Sequence, residues 1–528
     1  MITEDQGDVI EFLSSPAAHA GASVERIESH ASVVFLAGQR ALKLKRAVKY
    51  DYLDFSTADR RRQACLAEVE VNRRTAPGIY RGVVSVTRQA DGALALNGSG
   101  RPVDWLVEME RFDQAQLFDR LAMQGTLALE LMRPLADTIA AFHESAAPRP
   151  DHGGAAGMRW VIDGNAAGFA EHGTGVFDPG DCADLTRASR EELRRWSRLL
   201  DARREGGRVR QCHGDLHLRN IVLLDSRPTL FDAIEFNDEI ACTDVLYDLA
   251  FLLMDLWRRQ LPRHAHAVWN GYLAGARELD GIALMPLFLS CRAAVRAKTS
   301  VTAAALQANG QRRGELEAIA RDYLAMARRL LQPPAACLIA IGGISGTGKS
   351  AVASGLAPLV GAAPGAVVVR SDEIRKQLCG VDSLHRLGPE GYTAGVNERV
   401  YATLLQRAGQ IVAAGHAAIA DAVFIRPADR AAIEQVAQGA GVPFAGVWLT
   451  APEAVLVARV AQRHGDVSDA DASVIRGKLA RGTGAITWPQ RDASASLADV
   501  LRATTGMLRE RLPRESIRPD AAPGGEAR

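Results

Sequence analysis

His213-Gly-Asp-Leu-His-Leu-Arg-Asn220 (HGDLHLRN) and Gly343-Ile-Ser-Gly-Thr-Gly-Lys-Ser350 (GISGTGKS) decide how this chain is read. Both stretches suit phosphate chemistry, by different means. In the first, Asp215 and Asn220 stand five residues apart. Phosphoryl transfer to a hydroxyl needs a carboxylate to take or steer the hydroxyl proton, oxygen ligands for magnesium, and a cation on the nucleotide phosphates. Asp215 is a candidate for the first. Asn220, with Asp232 on the next strand of an expected hairpin, is a candidate for the second. In the other stretch, Gly343, Ile344, Ser345, Gly346, Thr347, Gly348, Lys349 and Ser350 form a full Walker A loop. It lies between an apolar strand (Leu338–Gly342) and a helical stretch (Ala351–Ala357), the context in which backbone N–H groups cradle phosphates. Lys349 is expected on the β- and γ-phosphates and Ser350 on magnesium.

Outward from the first stretch, a hairpin is expected over Ile221–Leu224 and Leu230–Ile234, split by Asp225–Pro228. SVVFLAGQRALKLK (Ser32–Lys45) alternates like a second hairpin turning at Gly38. Arg60–Arg74 has helical periodicity, Val83–Thr87 and Trp105–Met109 read as strands, and Leu117 to about Leu331 is mostly helical. Lys43 and Lys45 share one face of the LKLK strand. Lys43, flanked by Leu42 and Leu44, is favoured as the phosphate cation, with Glu68 as its helix partner and Glu70 as competitor. In CTDVLYDLAFLLMDL (Cys242–Leu256), Asp244 is expected to cap the helix and Asp248 to support the catalytic loop.

HGDLHLRN followed by LFDAIEF resembles the aminoglycoside phosphotransferase and choline kinase group. That resemblance implies a kinase-like α+β fold, Asp215 as catalytic base, Asn220 and Asp232 on Mg2+, and His213 and His217 as braces of the loop. The sequence departs from kinases in having no GxGxxG before the lysine strand. The corresponding turn is Glu28-Ser-His-Ala-Ser32.

After Pro333-Pro334, strand and helix alternate. Strands are expected at Leu338–Gly342, Ala366–Arg370, Ala417–Ala420 and Ala445–Leu449, with helices such as Asn397–Ala414 and Glu453–Arg463 between them. This implies an α/β unit with a parallel sheet. Ser371-Asp-Glu-Ile-Arg375 follows a strand end, where ligands meet such sheets. Asp372 is placed to take an acceptor proton and Arg375 to hold the acceptor; Ser371 can cap the helix there. Asp421 closes a strand in the manner of a Walker B carboxylate. Arg459 and Arg463, four apart, are candidates for a lid that clamps the γ-phosphate. The segment from Leu338 to Leu512 resembles the small P-loop kinases of the gluconate kinase, chloramphenicol phosphotransferase, zeta toxin and polynucleotide kinase group. YLDFSTADRRRQACLAEVEVNRR and CRAAVRAK are associated with bacterial proteins described as bifunctional aminoglycoside phosphotransferase-like and AAA-type ATP-binding proteins, which the whole chain resembles.

Bulk properties set limits. The 528 residues suit two or more domains, with 47% hydrophobic and 24% charged content. Three segments are expected: 1–332, kinase-like; 336–512, P-loop; and 513–528, a disordered Pro/Gly-rich tail. A net charge of +1 argues against nucleic acid and anionic membrane as partners. Seven dispersed cysteines without a CxxC pair, an acidic N-terminus and the lack of a long apolar run lead to the expectation of a reduced, cytoplasmic protein. The expected activity is ATP- and Mg2+-dependent phosphotransfer at two sites to hydroxyls of small molecules. Two alternatives stay open. Only the P-loop half is catalytic, the first half being regulatory; or the chain is an ATP-dependent switch or a polynucleotide 5′-hydroxyl kinase.

Overall fold

The computed structural model describes residues 3–50, 53–274, 278–382, 384–462, 467–469 and 471–518. Two compact units arise, one from residues 1–170 and 190–255, the other from 171–189 and 256–528. Compactness therefore divides the chain elsewhere than at the proline break near residue 332. Asn270, on a helix N-terminal to that break, takes the Val368 N–H (2.7 Å) and donates to the Ala366 carbonyl (3.3 Å), capping the edge of the P-loop sheet.

The first unit opens with an antiparallel sheet made of β1 (Val24–Glu28), β2 (Ser32–Ala37), β3 (Arg40–Lys45), β4 (Tyr80–Arg88), β5 (Leu94–Leu96) and β6 (Arg101–Glu110). Their spatial order is β1-β2-β3-β6-β4-β5. The expected hairpin over 32–45 is present, with Ser32 opposite Lys45. Helix α1 (Ala58–Arg73) starts where the Thr57 hydroxyl accepts the Arg60 N–H. It packs on the sheet through Cys65 and Val69, and its buried Arg61 pairs with buried Asp104 at 2.8 Å.

Helices follow up to the HGDLHLRN region, which is framed by two short ladders. β7 (Val209–Gln211) pairs with β10 (Cys242–Asp244), and β8 (Ile221–Leu224) pairs with β9 (Arg227–Leu230). The β8–β9 turn is tighter than the sequence suggested. Asp225 and Ser226 both have positive φ (47° and 61°), the two-residue hairpin geometry. The return strand consequently starts at Arg227 and ends at Leu230. Asp232 is thus not on the strand: it lies two residues beyond, with φ 60°. Helix α2 (Val245–Arg258) begins with Asp244 accepting the Leu246 N–H at 2.8 Å, as expected of a cap.

The second unit carries a parallel sheet of β11 (Leu338–Gly343), β12 (Val367–Arg370), β13 (Ala418–Asp421), β14 (Phe444–Thr450) and β15 (Gln490–Asp492), in the order β12-β13-β11-β14-β15. Four of the strands were expected. β15 is three polar residues, too short and too little apolar to show in the pattern. Its helices include α3 (Lys349–Leu356), α4 (Ser371–Leu378), α5 (Glu453–Ala461) and α6 (Ala472–Arg481). Ser371 is not the cap of α4; Arg370 occupies that position without a capping side chain. Over its described part, 513–518, the expected disordered tail is instead ordered. Arg514–Ser516 form a helical turn, and buried Ile517 bridges Val360. The rest of the expected tail, 519–528, lies outside the described residues. No described helix is long and apolar enough to cross a membrane.

Candidate active sites

In the first unit, β3 and α1 build the cation side. Alternation puts Lys43 and Lys45 on one face, and both reach Glu68 of α1, at 2.8 Å and 2.6 Å. Glu68, not Glu70, is the shared partner. Lys43 also pairs with Asp232 at 2.6 Å. Lys45 is nearly inaccessible, at 2% exposure, and pairs further with Glu235. Burial disfavours the Lys43 ammonium, but Asp232 and Glu68 outweigh it and hold its pKa well above the ordinary lysine value. Burial likewise opposes ionisation of Glu68, and the two lysines overcome it, bringing its pKa down to about 2. Glu235 ends up raised, because burial there exceeds the pull of Lys45.

The HGDLHLRN loop is held by its backbone. Asp248, fully buried on α2, accepts the N–H groups of His213 (3.2 Å) and Gly214 (2.8 Å). His143 adds a 3.0 Å contact to the same carboxylate. His213 meets the Phe231 carbonyl at 2.9 Å, fixing the loop to the segment before Asp232. Asn220 donates to both the carbonyl and a carboxylate oxygen of Asp215, each at 3.0 Å, and His217 approaches that carboxylate at 3.3 Å. The Asp232 N–H donates to the Tyr80 hydroxyl (3.1 Å), and the Ala233 N–H to Asn72 (2.8 Å). Asp215, Asn220, Asp232, Lys43 and Glu68 are therefore linked by one chain of polar contacts and backbone ties. Asn220 and Asp232 offer hard oxygen donors of the kind magnesium takes.

Several participants escaped the sequence reading. Asn72, Tyr80 and His143 carry no motif and act from distant positions. The Lys45–Glu235 pair was foreshadowed only by the shared face of β3. The glycine-poor turn at Glu28–Ser32 is tied by its own serines, with Ser29 and Ser32 hydroxyls 2.9 Å apart.

In the second unit, β11 runs into the Walker A loop. Gly346 has φ 94°, and a Cβ there would lie 2.9 Å from the Leu456 carbonyl oxygen, so only glycine fits. Gly348 (φ 84°) opens α3. The Lys349 ammonium lies 3.3 Å from the Ile344 carbonyl oxygen. Ser350 donates to Asp421 at 2.6 Å, joining the two expected magnesium ligands directly. Arg370, which the sequence reading did not single out, donates to Ser350 at 3.1 Å and lies 3.4 Å from Asp421.

Asp372 sits in the first turn of α4, half-buried. Arg375 donates to the Gly391 carbonyl (2.7 Å) and stacks over Tyr392 at 4.6 Å, while its buried Nε has no hydrogen-bond partner among the described residues. Burial first, then Asp469 and Asp372, raise the Tyr392 phenol pKa. Arg459 donates to the Ala493 carbonyl at 2.7 Å, so the contact it makes is with the turn after β15. Arg463 lies outside the described residues.

Comparison with known proteins finds one family match on each side of the proline break near residue 332. The family model described as "Phosphotransferase enzyme family" matches residues 31–282, and that described as "AAA domain" matches 338–483. An uncharacterized protein of Mycobacterium tuberculosis is 30% identical over 470 residues, covering 86% of this chain and 89% of the relative. Among solved structures, a choline/ethanolamine kinase family protein from Mesorhizobium loti is 14% identical, with 61% of this chain and 94% of that chain covered and a TM-score of 0.40. A gluconokinase from Sinorhizobium meliloti is 23% identical, with 33% and 93% covered and a TM-score of 0.25. The chain belongs to the family of the mycobacterial protein. It joins a phosphotransferase domain of protein-kinase-like fold to a P-loop kinase-like domain with a parallel sheet.

Proposed function

We propose that this member of the family is an ATP- and Mg2+-dependent phosphotransferase with two nucleotide sites, each passing a γ-phosphoryl group to a hydroxyl of a small molecule. The observation that carries the reading is the Lys43–Asp232 contact in one unit and the Ser350–Asp421 contact beside Lys349 in the other. In each, a phosphate-seeking ammonium lies with oxygen donors suited to a metal ion. Asp215 and Asp372 take the proton as the acceptor oxygen bonds to Pγ. The bond from Pγ to the bridging oxygen breaks, and its electron pair leaves on ADP. Asn220 with Asp232, and Ser350 with Asp421, would hold magnesium, which supplies neutralisation of phosphate charge. Lys43 and Lys349 orient the phosphates, and Arg375 orients the second acceptor.

The test is to incubate the full chain with Mg-ATP and a cell metabolite extract and to find the masses that gain a phosphoryl group. Asp215→Asn and Asp372→Asn should each remove a different set of products. Retention of every product in both variants defeats the assignment.

A second reading has specific support: the Glu28–Ser32 turn is tied by its own serines and offers no glycine-rich phosphate cover. On this reading only the P-loop unit transfers phosphate, and Asp372→Asn alone removes all products.

A further inference from the structure

The P-loop carries a cation that no motif announced. Ile475 of α6 shares a buried cluster with Ile344 of the loop and Leu456 of α5, which seats α6 directly against the loop. One turn on from Ile475, Lys478 brings its ammonium to the Ser345 hydroxyl, 3.0 Å away. Lys349 rests on the carbonyl of the adjacent Ile344. Two ammonium groups thus lie against consecutive residues of one loop, on oxygen atoms that resemble what a phosphate offers. Both are half-buried, so each holds its charge where water is partly excluded and an anion is most strongly attracted.

The segment that leads into α6 is anchored just before the helix. The Asp469 carboxylate receives the Lys376 ammonium (2.7 and 2.6 Å), the Tyr392 hydroxyl (2.7 Å) and the Leu387 N–H (3.1 Å). The ion pair is secluded, with side-chain exposures of 2% and 7%. A pair of that burial fixes geometry, because separating it strands a charge away from water. Lys376 follows Arg375 on α4, so the placement of α6 is tied to the helix that carries Asp372 and Arg375.

We propose that Lys478 is a catalytic residue of the P-loop site. Its ammonium meets the terminal phosphate of a bound nucleoside triphosphate, Ser345 is one of its resting contacts, and Asp469 is the positioning residue that keeps α6 in place. The inference rests on the reading of this loop as a triphosphate site. Lys478 donates hydrogen bonds to non-bridging oxygens and exchanges no proton. It fills the role the sequence assigned to Arg459, whose guanidinium is engaged with Ala493.

The test uses the full chain with Lys43→Met in every sample, so that only the P-loop site reports. Binding of Mg2+ with AMP-PNP and of Mg2+ with ADP is measured by titration calorimetry. Lys478→Met should weaken AMP-PNP by about 10- to 100-fold, the worth of a hydrogen bond to a charged group, and leave ADP unchanged. Lys478→Arg should recover most of the loss. Asp469→Asn should shift the AMP-PNP-to-ADP ratio in the same direction, which general destabilisation does not do. Should Lys478→Met fold poorly, Lys478→Gln answers the same question. If Lys349→Met abolishes AMP-PNP binding while the Lys478 variants leave it intact, or weaken both ligands equally, the proposal fails and the triphosphate reading stands. If the parent sample binds neither ligand, both fall together.

Discussion

Lys43 and Lys45 lie on one face of one strand and share Glu68, yet their removal should have opposite consequences. Lys45 is 2% exposed and is the cation between Glu68 and Glu235, whose side chains are 0% and 6% exposed. Its ammonium also lies 4.8 Å from the Phe55 ring. Lys45→Met therefore leaves two buried carboxylates with one remaining lysine nearby. Breaking a buried ion pair from one side costs about 3–5 kcal/mol. At about 2–4 °C per kcal/mol for a unit of this size, melting should fall by about 10 °C. Lys43→Met leaves Glu68 still neutralised by Lys45, and the Asp232 side chain, 43% exposed, can turn to water. Its cost should be about 1 kcal/mol or less, as for a partly solvated pair. On the proposed function, nucleotide binding in the first unit should nevertheless be lost, since Lys43 is the cation proposed to meet the phosphates. Scanning calorimetry of the full chain reads the first effect, and titration with Mg2+ and AMP-PNP on a Lys349→Met background reads the second. A Lys45→Met protein that melts with the parent, or a Lys43→Met protein that melts lower than Lys45→Met, would refute the reasoning.

Asp248→Asn leaves one of two converging backbone N–H groups facing an amide NH2, so products that depend on Asp215 should fall about fivefold or more, given about 1–3 kcal/mol for an unmet buried donor; product assays by mass spectrometry check this. Gly346→Ala drives a methyl against the Leu456 carbonyl in a left-handed backbone, and AMP-PNP binding to the P-loop unit should vanish in titration while Asp215-dependent products persist. Glu68 has a depressed folded-state pKa of about 2, so its stabilising contribution is complete above its ordinary value of 4.5 and is lost as pH falls from there toward 2. Glu68→Gln should flatten that part of the acid-stability curve, which urea melts at successive pH values will show.

What the sequence revealed and what it hid follow different physics. The Walker A loop is legible because its constraints are local. Glycine at positive φ, an apolar strand before it and a helix after it all fall within a few residues of one another. The 32–45 hairpin is legible for the same reason, and period two gave the shared face of Lys43 and Lys45. Asp232 was placed on a strand because LFDAI looks like one. The left-handed φ at Asp232 depends on Tyr80, Asn72 and His213, which hold the surrounding backbone from other elements. His143 reaches Asp248 from 105 residues away, beyond any spacing rule. Lys478 was invisible for a related reason. Its role depends on Ile475 docking on Ile344, a tertiary contact, whereas Arg459 matched the expected arginine pattern and reaches elsewhere.

The resting contacts also bear on how ligands enter the first site. Lys43 is bonded to Asp232, so the cation proposed for phosphate and a carboxylate proposed for metal satisfy each other. A metal ion arriving alone must compete with an ammonium 2.6 Å from its ligand. A nucleotide arriving alone must draw Lys43 away and leave Asp232 facing phosphate with its charge uncompensated. Arriving together, the two exchange partners at once: Lys43 turns to phosphate oxygens as magnesium replaces it on Asp232, while Lys45 keeps Glu68 neutralised throughout. The two ligands should therefore bind with positive coupling, within the typical range of about 1–3 kcal/mol. On a Lys349→Met background, AMP-PNP affinity should rise with Mg2+ by more than in a Lys43→Met, Lys349→Met double variant, where no ammonium blocks Asp232. Equal dependence on Mg2+ in the two proteins would mean that the Lys43–Asp232 contact does not govern entry.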